Sequence, residues 1–195
     1  FIGNYSSGKM GFALAEACAE AGAEVMLVAG PVSLKTNHSS IDRIDVESAE
    51  EMYRAVLSEY DRSDIAIMCA AVADYAPETV SDVKLKRTGE DRILRLRPNP
   101  DIAAELGRRK RPGQCLVGFA LETNDEEMNA RLKMEKKNLD FIVLNSLRDA
   151  GAGFQCDTNK VTVIGKQGEP VEIPCKLKIE VAADIVDIIG RYVSE

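Results

Sequence analysis

The stretch Glu24-Val25-Met26-Leu27-Val28-Ala29 decides the fold. Val25 to Val28 is apolar without alternation, the pattern of a strand covered on both faces in a parallel sheet. Working outward on the N-terminal side, Phe12, Ala15 and Ala19 recur at helical spacing, and Gly22 is a natural stop for that helix. On the other side lie a loop with Pro31 and His38, a short strand at Ile44 to Val46, and a helix. Ser48 and Glu51 have capping-box spacing at the start of that helix, and Met52, Val56 and Tyr60 continue its apolar face. Ile65 to Cys69 reads as another buried strand. This β-α-β alternation predicts an α/β fold with a mainly parallel sheet and helices on both faces. Such domains begin with a strand that leads into a tight turn, and the chain opens at Phe1 directly before the turn, so one strand is expected upstream of residue 1.

The middle breaks the pattern. Val80 to Lys86 and Arg92 to Arg97 alternate apolar and basic residues around Thr88 and Gly89, which predicts a protruding β-hairpin, a candidate flap or dimer arm. The α/β rhythm then resumes. Asn99 can cap a helix with Pro100 at its first position. Strands are predicted at Leu116 to Phe119 and Phe141 to Leu144 around a helix from about Asp125 to Asn138. Val161 to Ile164 and Val171 to Ile173 form a terminal hairpin. A last helix carries Val181, Ala182, Ile185, Ile188, Ile189 and Tyr192 on one face. Residues 1–195 read as a single domain.

Composition narrows the function. The chain has 195 residues, a net charge of −7 and 45% hydrophobic residues, which suits one globular core and disfavours nonspecific nucleic-acid binding. No apolar run is long enough to span a membrane, so neither nucleic acid nor membrane is an expected partner. Five scattered cysteines, Cys18, Cys69, Cys115, Cys156 and Cys175, lack metal-ligand spacing and fit a reducing cytoplasm. The tyrosines Tyr53 and Tyr60 and the methionines sit at core spacing. His38 lies in a polar loop with no Cys or His partner nearby.

Five segments can carry chemistry, and each also has a plain structural reading. Asn4, Ser6, Ser7 and Gly8 open a helix, where free N–H groups and the helix dipole favour an anion; the alternative is a cap with no ligand. Ala70-Ala71-Val72-Ala73-Asp74-Tyr75 follows a strand at the end where α/β sheets place ligands, with Asp74 available to a ribose, a base amine or a metal; the alternative is a turn. Lys84 and Lys86 share one strand face and suit a phosphate under a closing flap; the alternative is a solvated edge strand, the usual role of an isolated basic hairpin. The segment Asn99-Pro100-Asp101-Ile102 can offer free N–H groups, Pro100 having none, to a phosphate, with Asp101 requiring an intervening cation such as magnesium; the alternative is simple helix capping by Asn99. Phe119 ends a strand and suits a nucleobase, while Lys133 and Lys137 are four apart and can converge on a triphosphate or line a solvated face.

In this order the segments resemble the bacterial phosphopantothenate–cysteine ligase family. The residues that carry the resemblance are Asn4 with Ser6-Ser7-Gly8-Lys9-Met10-Gly11, Ala70-Ala71-Val72-Ala73-Asp74-Tyr75, Lys84-Leu85-Lys86, Asn99-Pro100-Asp101-Ile102, and Gly118-Phe119-Ala120 with Glu122-Thr123-Asn124. The resemblance implies a Rossmann-like three-layer α/β/α fold, a homodimer, and joining of 4′-phosphopantothenate to L-cysteine with CTP through an acyl-cytidylate. It implies catalytic roles for Asn4, in the cysteine-dependent step, and for Lys84, in forming the acyl-cytidylate. Ala70, Asp74, Lys84, Pro100, Asp101, Ile102, Ala103, Phe119, Lys133 and Lys137 would line the CTP site. Asn4, Ser6, Ser7, Gly8 and Lys86 would meet the substrate phosphate and carbonyl, and magnesium would ride on the triphosphate. Many members are fused behind a flavin-dependent decarboxylase, and FMN would belong to that part. Departures from the family pattern include Tyr5, Leu121 in place of a usual alanine and Arg87 in place of a frequent lysine. The competing readings are an ATP-dependent version of the same ligase, an NAD(P)-binding oxidoreductase, and a catalytically silent nucleotide-binding module.

Overall fold

The computed structural model describes residues 3, 4, 6–87, 89, 91–122, 125–146 and 157–194. Tyr5, Thr88, Thr123, Asn124 and Cys156, all named above, lie outside them. Helix α1 (Lys9–Glu20) ends one residue before Ala21, and Gly22 follows in the left-handed conformation that closes a helix. Strand β1 (Val25–Ala29) pairs in parallel with β2 (Ile41–Asp45), which sits three residues upstream of its expected start. Helix α2 (Ala49–Tyr60) is capped by the Ser48 hydroxyl, which accepts the Glu51 N–H at 3.2 Å. The Glu51 carboxylate accepts the Glu47 N–H at 2.8 Å.

The central sheet has five strands in the order β3 (Ile65–Met68), β6 (Cys115–Glu122), β7 (Phe141–Ser146), β8 (Thr158–Gly165) and β9 (Val171–Leu177). The first three are parallel, and β8 and β9 form the antiparallel terminal hairpin. Alternate residues of β6 and β7 enter two separate cores. Cys115, Val117, Phe141 and Val143 pack with Leu14 of α1 and with Val181, Ile185 and Ile189 of α5 (Lys178–Val193). Leu116, Ala120, Ile142 and Leu144 pack with Met52 of α2, with Leu106 of α3 (Ile102–Arg109) and with Met134 of α4 (Glu126–Lys136). Helices therefore cover both faces, the three-layer arrangement expected. Leu116, Val117, Ile142 and Val143 are at most 1% exposed, and each such side chain contributes about 1.5–3 kcal/mol by leaving water.

Several expectations need correcting. The two strands read as fully buried are not: Val25 to Val28 of β1 are half-buried, and Ile65 of β3 is exposed. Among the described residues β1 pairs only with β2 and β3 only with β6, so each keeps an open edge, unlike β6 and β7 with partners on both sides. Among the described residues the arm is paired only at its base, where β4 (Tyr75–Pro77) runs antiparallel to β5 (Leu96–Pro98). Between them, residues 80–87 and 91–95 carry no ladder, and Val80 and Ile93 are almost fully exposed. Alternation there marks two faces, but among the described residues no third element buries either one. Asn99 does not cap α3; Asp101 does, accepting the Ala104 N–H at 3.1 Å. Tyr192 is 45% exposed, its ring perpendicular to that of Phe141 with centroids 4.9 Å apart, and Met128 is exposed although core packing is expected.

Candidate functional site

The carboxyl ends of β3, β6 and β7 share one edge of the sheet, where open α/β sheets bind ligands. Segments far apart in sequence are tied together along it. The Asn4 side-chain amide donates to the carbonyls of Ala71 and Val72 at 3.3 and 3.2 Å. The Asn99 amide donates to the Ala73 carbonyl at 2.8 Å, and its backbone N–H donates to the Asp74 carbonyl, also at 2.8 Å. Two residues on, Asp101 caps α3 and accepts the Lys137 ammonium at 3.0 Å. Lys133, one turn earlier on α4, pairs with Glu122 at the end of β6. A continuous bonded path thus runs from the turn before α1, through the loop after β3, to the N-terminus of α3 and the last turn of α4.

The expected site residues fare differently. Asn4, Ala70, Asp74 and Asp101 lie exposed along this edge, and Pro100 and Ala103 are half-buried. Ile102 is 4% exposed and belongs to the core, so only its backbone can meet a ligand. Gly8 begins α1 at φ 76°, with its N–H 3.4 Å from the Ser6 hydroxyl, while Ser6 is exposed and Ser7 half-buried. Phe119 does not end its strand: β6 runs on to Glu122, and the Phe119 ring packs partly into the α1–α5 core. Lys84 and Lys86 are exposed on the arm and, among the described residues, make no ion pair with this edge. The two lysines of α4 do not stand as bare ammonium groups, because each faces a carboxylate.

Electrostatics follow from these contacts. Burial opposes ionisation of Asp101, but the Ala104 N–H and the Lys137 ammonium outweigh it and hold its carboxyl below the usual value. The Lys137 ammonium thus already places one positive charge beside Asp101. Among the described residues no group of three His, Cys, Asp or Glu side chains gathers as a cation cage. Magnesium bound mostly through phosphate oxygens and water needs only one or two carboxylates, and the exposed Asp74 meets that requirement. Burial raises the Cys69 thiol to about 12, so it is not a nucleophile at neutral pH.

Two parts of the edge escaped the sequence reading. Asn99 braces the loop after β3 across 26 residues, a contact with no local signature. Between α1 and the start of α5 lies a cavity of about 290 Å³ lined by Lys9, Phe12, Leu34, Lys35, Asp157 and Lys178, with Lys9 paired to Asp157 at 2.5 Å. No described helix is long and apolar enough to cross a membrane.

Known proteins agree with this architecture. The chain is 49% identical over 190 residues to the coenzyme A biosynthesis bifunctional protein CoaBC of Bacillus subtilis (strain 168), covering 97% of the chain and 47% of that relative. It is 55% identical over 186 residues to a cysteine/cysteine sulfinic acid decarboxylase of an unknown prokaryotic organism, covering 95% of the chain and 52% of that protein. The chain thus spans about half the length of these curated relatives. The crystal structure of the C-terminal domain of a coenzyme A biosynthesis bifunctional protein CoaBC superposes with a TM-score of 0.82 at 39% identity, covering 98% of this chain and 85% of that one. Residues 1–192 match the family model of the DNA/pantothenate metabolism flavoprotein C-terminal domain, and the chain belongs to that family.

Proposed function

We propose that this chain joins 4′-phosphopantothenate to L-cysteine at the expense of CTP. The observation that carries the reading is the bonded path from Asn4 through the loop after β3 to Asp101 and Lys137, since it aligns a polar turn, a ligand-facing loop and a lysine-bearing helix along one edge. A carboxylate is a poor electrophile and its oxygen a poor leaving group. In the first step a carboxylate oxygen of the substrate attacks the α-phosphorus of CTP, and pyrophosphate leaves with the electron pair of the broken P–O bond. In the second the cysteine amine attacks the acyl carbon, CMP leaves, and the amine loses a proton. Holding both reactants in line and away from water is the protein's main contribution.

Roles follow from position. Lys84, on the exposed arm, brings positive charge to the phosphates when the arm closes. Lys86 meets the substrate phosphate or carbonyl, with Ser6, Ser7 and Gly8 at the turn. Ala70, Asp74, Pro100 to Ala103, Phe119, Lys133 and Lys137 form the nucleotide side, where Asp74 would hold magnesium, which would offset charge on the triphosphate. The Asn4 side-chain nitrogen donates to the Ala71 and Val72 carbonyls. Asn4 meets the acyl carbonyl in the cysteine-dependent step, and its Oδ1 can in addition accept from an N–H of the attacking amine. The apolar arm residues Val80, Val83, Leu85, Ile93 and Leu94 are more than half exposed and support a homodimer in which the arms are covered. FMN, where present, would serve a decarboxylase outside these residues, and the enzyme would work in the cytoplasm.

The test is pyrophosphate release with phosphopantothenate, cysteine and magnesium, supplying CTP or ATP in turn. Release with CTP, dependent on phosphopantothenate, supports the proposal. A preference for ATP would move the chain to the other branch of the ligases. Carbon dioxide release from cysteine or its sulfinate without nucleotide, or a binding response to NAD(P) in place of CTP, would overturn it.

A further inference from the structure

The end of α4 is built in an unusual way. Helix α4 closes with the Asn138 N–H donating to the Glu135 carbonyl and the Leu139 N–H to the Met134 carbonyl, a Schellman pattern. Its left-handed residue is Asn138 at φ 50°, where glycine is the residue without steric penalty. The strain comes with three bonds. Asn138 Nδ2 donates to the Gly107 carbonyl of α3 at 3.0 Å, its Oδ1 accepts from the Lys166 ammonium at 3.0 Å, and its own carbonyl accepts from the Lys110 ammonium at 2.7 Å. Directly opposite, Gly107 has no space for a side chain, because a Cβ there would lie 1.9 Å from the Lys137 carbonyl oxygen. The backbone of Lys137 is therefore seated on α3, and its side chain reaches back along that helix to Asp101, at the α3 N-terminus.

We infer that Asn138 and Gly107 are positioning residues that fix the Lys137 ammonium at the ligand-facing start of α3. A lysine side chain has four rotatable bonds and loses much of its freedom when held in one place. Seating its backbone reduces the number of ways the ammonium can miss, and the Asp101 carboxylate completes the placement. Asn138 touches no part of the ligand edge; it acts through Lys137. The link to nucleotide binding rests on the function proposed above, whereas the seat itself does not.

Asn138→Gly separates positioning from stability, because glycine keeps the left-handed cap while deleting the side-chain clamp. The first readout is the Asp101 carboxyl titration, followed by carbon-detected NMR in the parent, Lys137→Ala and Asn138→Gly proteins. Lys137→Ala should raise the Asp101 pKa, and Asn138→Gly should raise it in the same direction with the thermal midpoint near that of the parent. An unchanged Asp101 titration in Asn138→Gly, beside a clear rise in Lys137→Ala, would overturn the inference whether or not the chain uses CTP. The second readout is kinetic. Asn138→Gly should raise KM for CTP by about threefold or more with kcat little changed, the size set by losing the Asn138 side-chain hydrogen bond to the Gly107 carbonyl, the one of its two that clamps α4 to α3. An altered Asp101 titration with an unaltered KM for CTP would leave the seat standing and count against the nucleotide role of Lys137. A parent that ignores CTP would count against the proposed function alone.

Discussion

Replacing Asp140 by alanine should be the most damaging single change to the stability of this fold. Asp140 lies just before β7, at the sheet edge opposite the ligand edge, and only 8% of its side chain is exposed. Its carboxylate accepts the Leu116 N–H at 2.8 Å, the Lys110 ammonium at 2.8 and 2.9 Å, and the Lys166 ammonium at 3.0 Å. Lys110 is nearly as buried, at 10%. Asp140→Ala leaves that ammonium in low dielectric with the Asn138 carbonyl at 2.7 Å as its remaining acceptor, and it leaves the Leu116 N–H without a side-chain acceptor. Breaking one side of a buried pair in this way costs about 3–5 kcal/mol, a large share of the total stability of a domain. Urea unfolding of parent and variant at pH 7 measures the loss as a lower midpoint at constant slope. A paired change, Asp140→Leu with Lys110→Met, should recover much of it, because no buried charge is then left alone. The pH dependence has a definite sign. Burial opposes ionisation of Asp140, but Lys110 and the Leu116 N–H outweigh it and hold the carboxyl below its usual value. A depressed pKa in the folded state contributes stability above the unfolded value, and that stability disappears as pH falls through the folded value. The parent should therefore lose stability on acidification more steeply than Asp140→Ala. A loss under about 1 kcal/mol in the single variant, or strict additivity in the double variant, would refute this account.

The remaining predictions concern the ligand edge. Asn4→Ala should still release pyrophosphate but form little amide, read by separating acyl-cytidylate from product; normal amide turnover would remove Asn4 from the second step. Lys84→Gln should slow pyrophosphate release itself, and release at the parent rate would take the arm lysine out of the first step. Gly8→Ala forces a side chain into the left-handed region, with its Cβ 3.1 Å from Val32. A cost of about 1–2 kcal/mol is expected by thermal unfolding, together with reduced turnover, because Gly8 sets where α1 begins.

How much was legible beforehand follows from the range of the forces involved. Helix α2 was readable because its cap and apolar face lie within a few residues of each other: Ser48 meets Glu51, and Met52 and Tyr60 share one side. The α/β class was readable because apolar runs and helical periods are local patterns. The pairing of the arm was misplaced because alternation along one strand does not specify its partner, and only the chain path closes Tyr75–Pro77 on Leu96–Pro98. Asn before Pro suits a helix cap locally, but the Ala73 carbonyl, 26 residues away, claims the Asn99 amide.

The amino-acid sequence alone determined the layered α/β class and most helices, because those properties depend on residues a turn or a strand apart. Tertiary structure decided that Asn4 bonds the loop after β3, that Lys137 meets Asp101, and that the end of α4 rests on Gly107. Those contacts join residues tens of positions apart, and their geometry depends on how tightly two helices approach across a sheet, a quantity that no local pattern encodes.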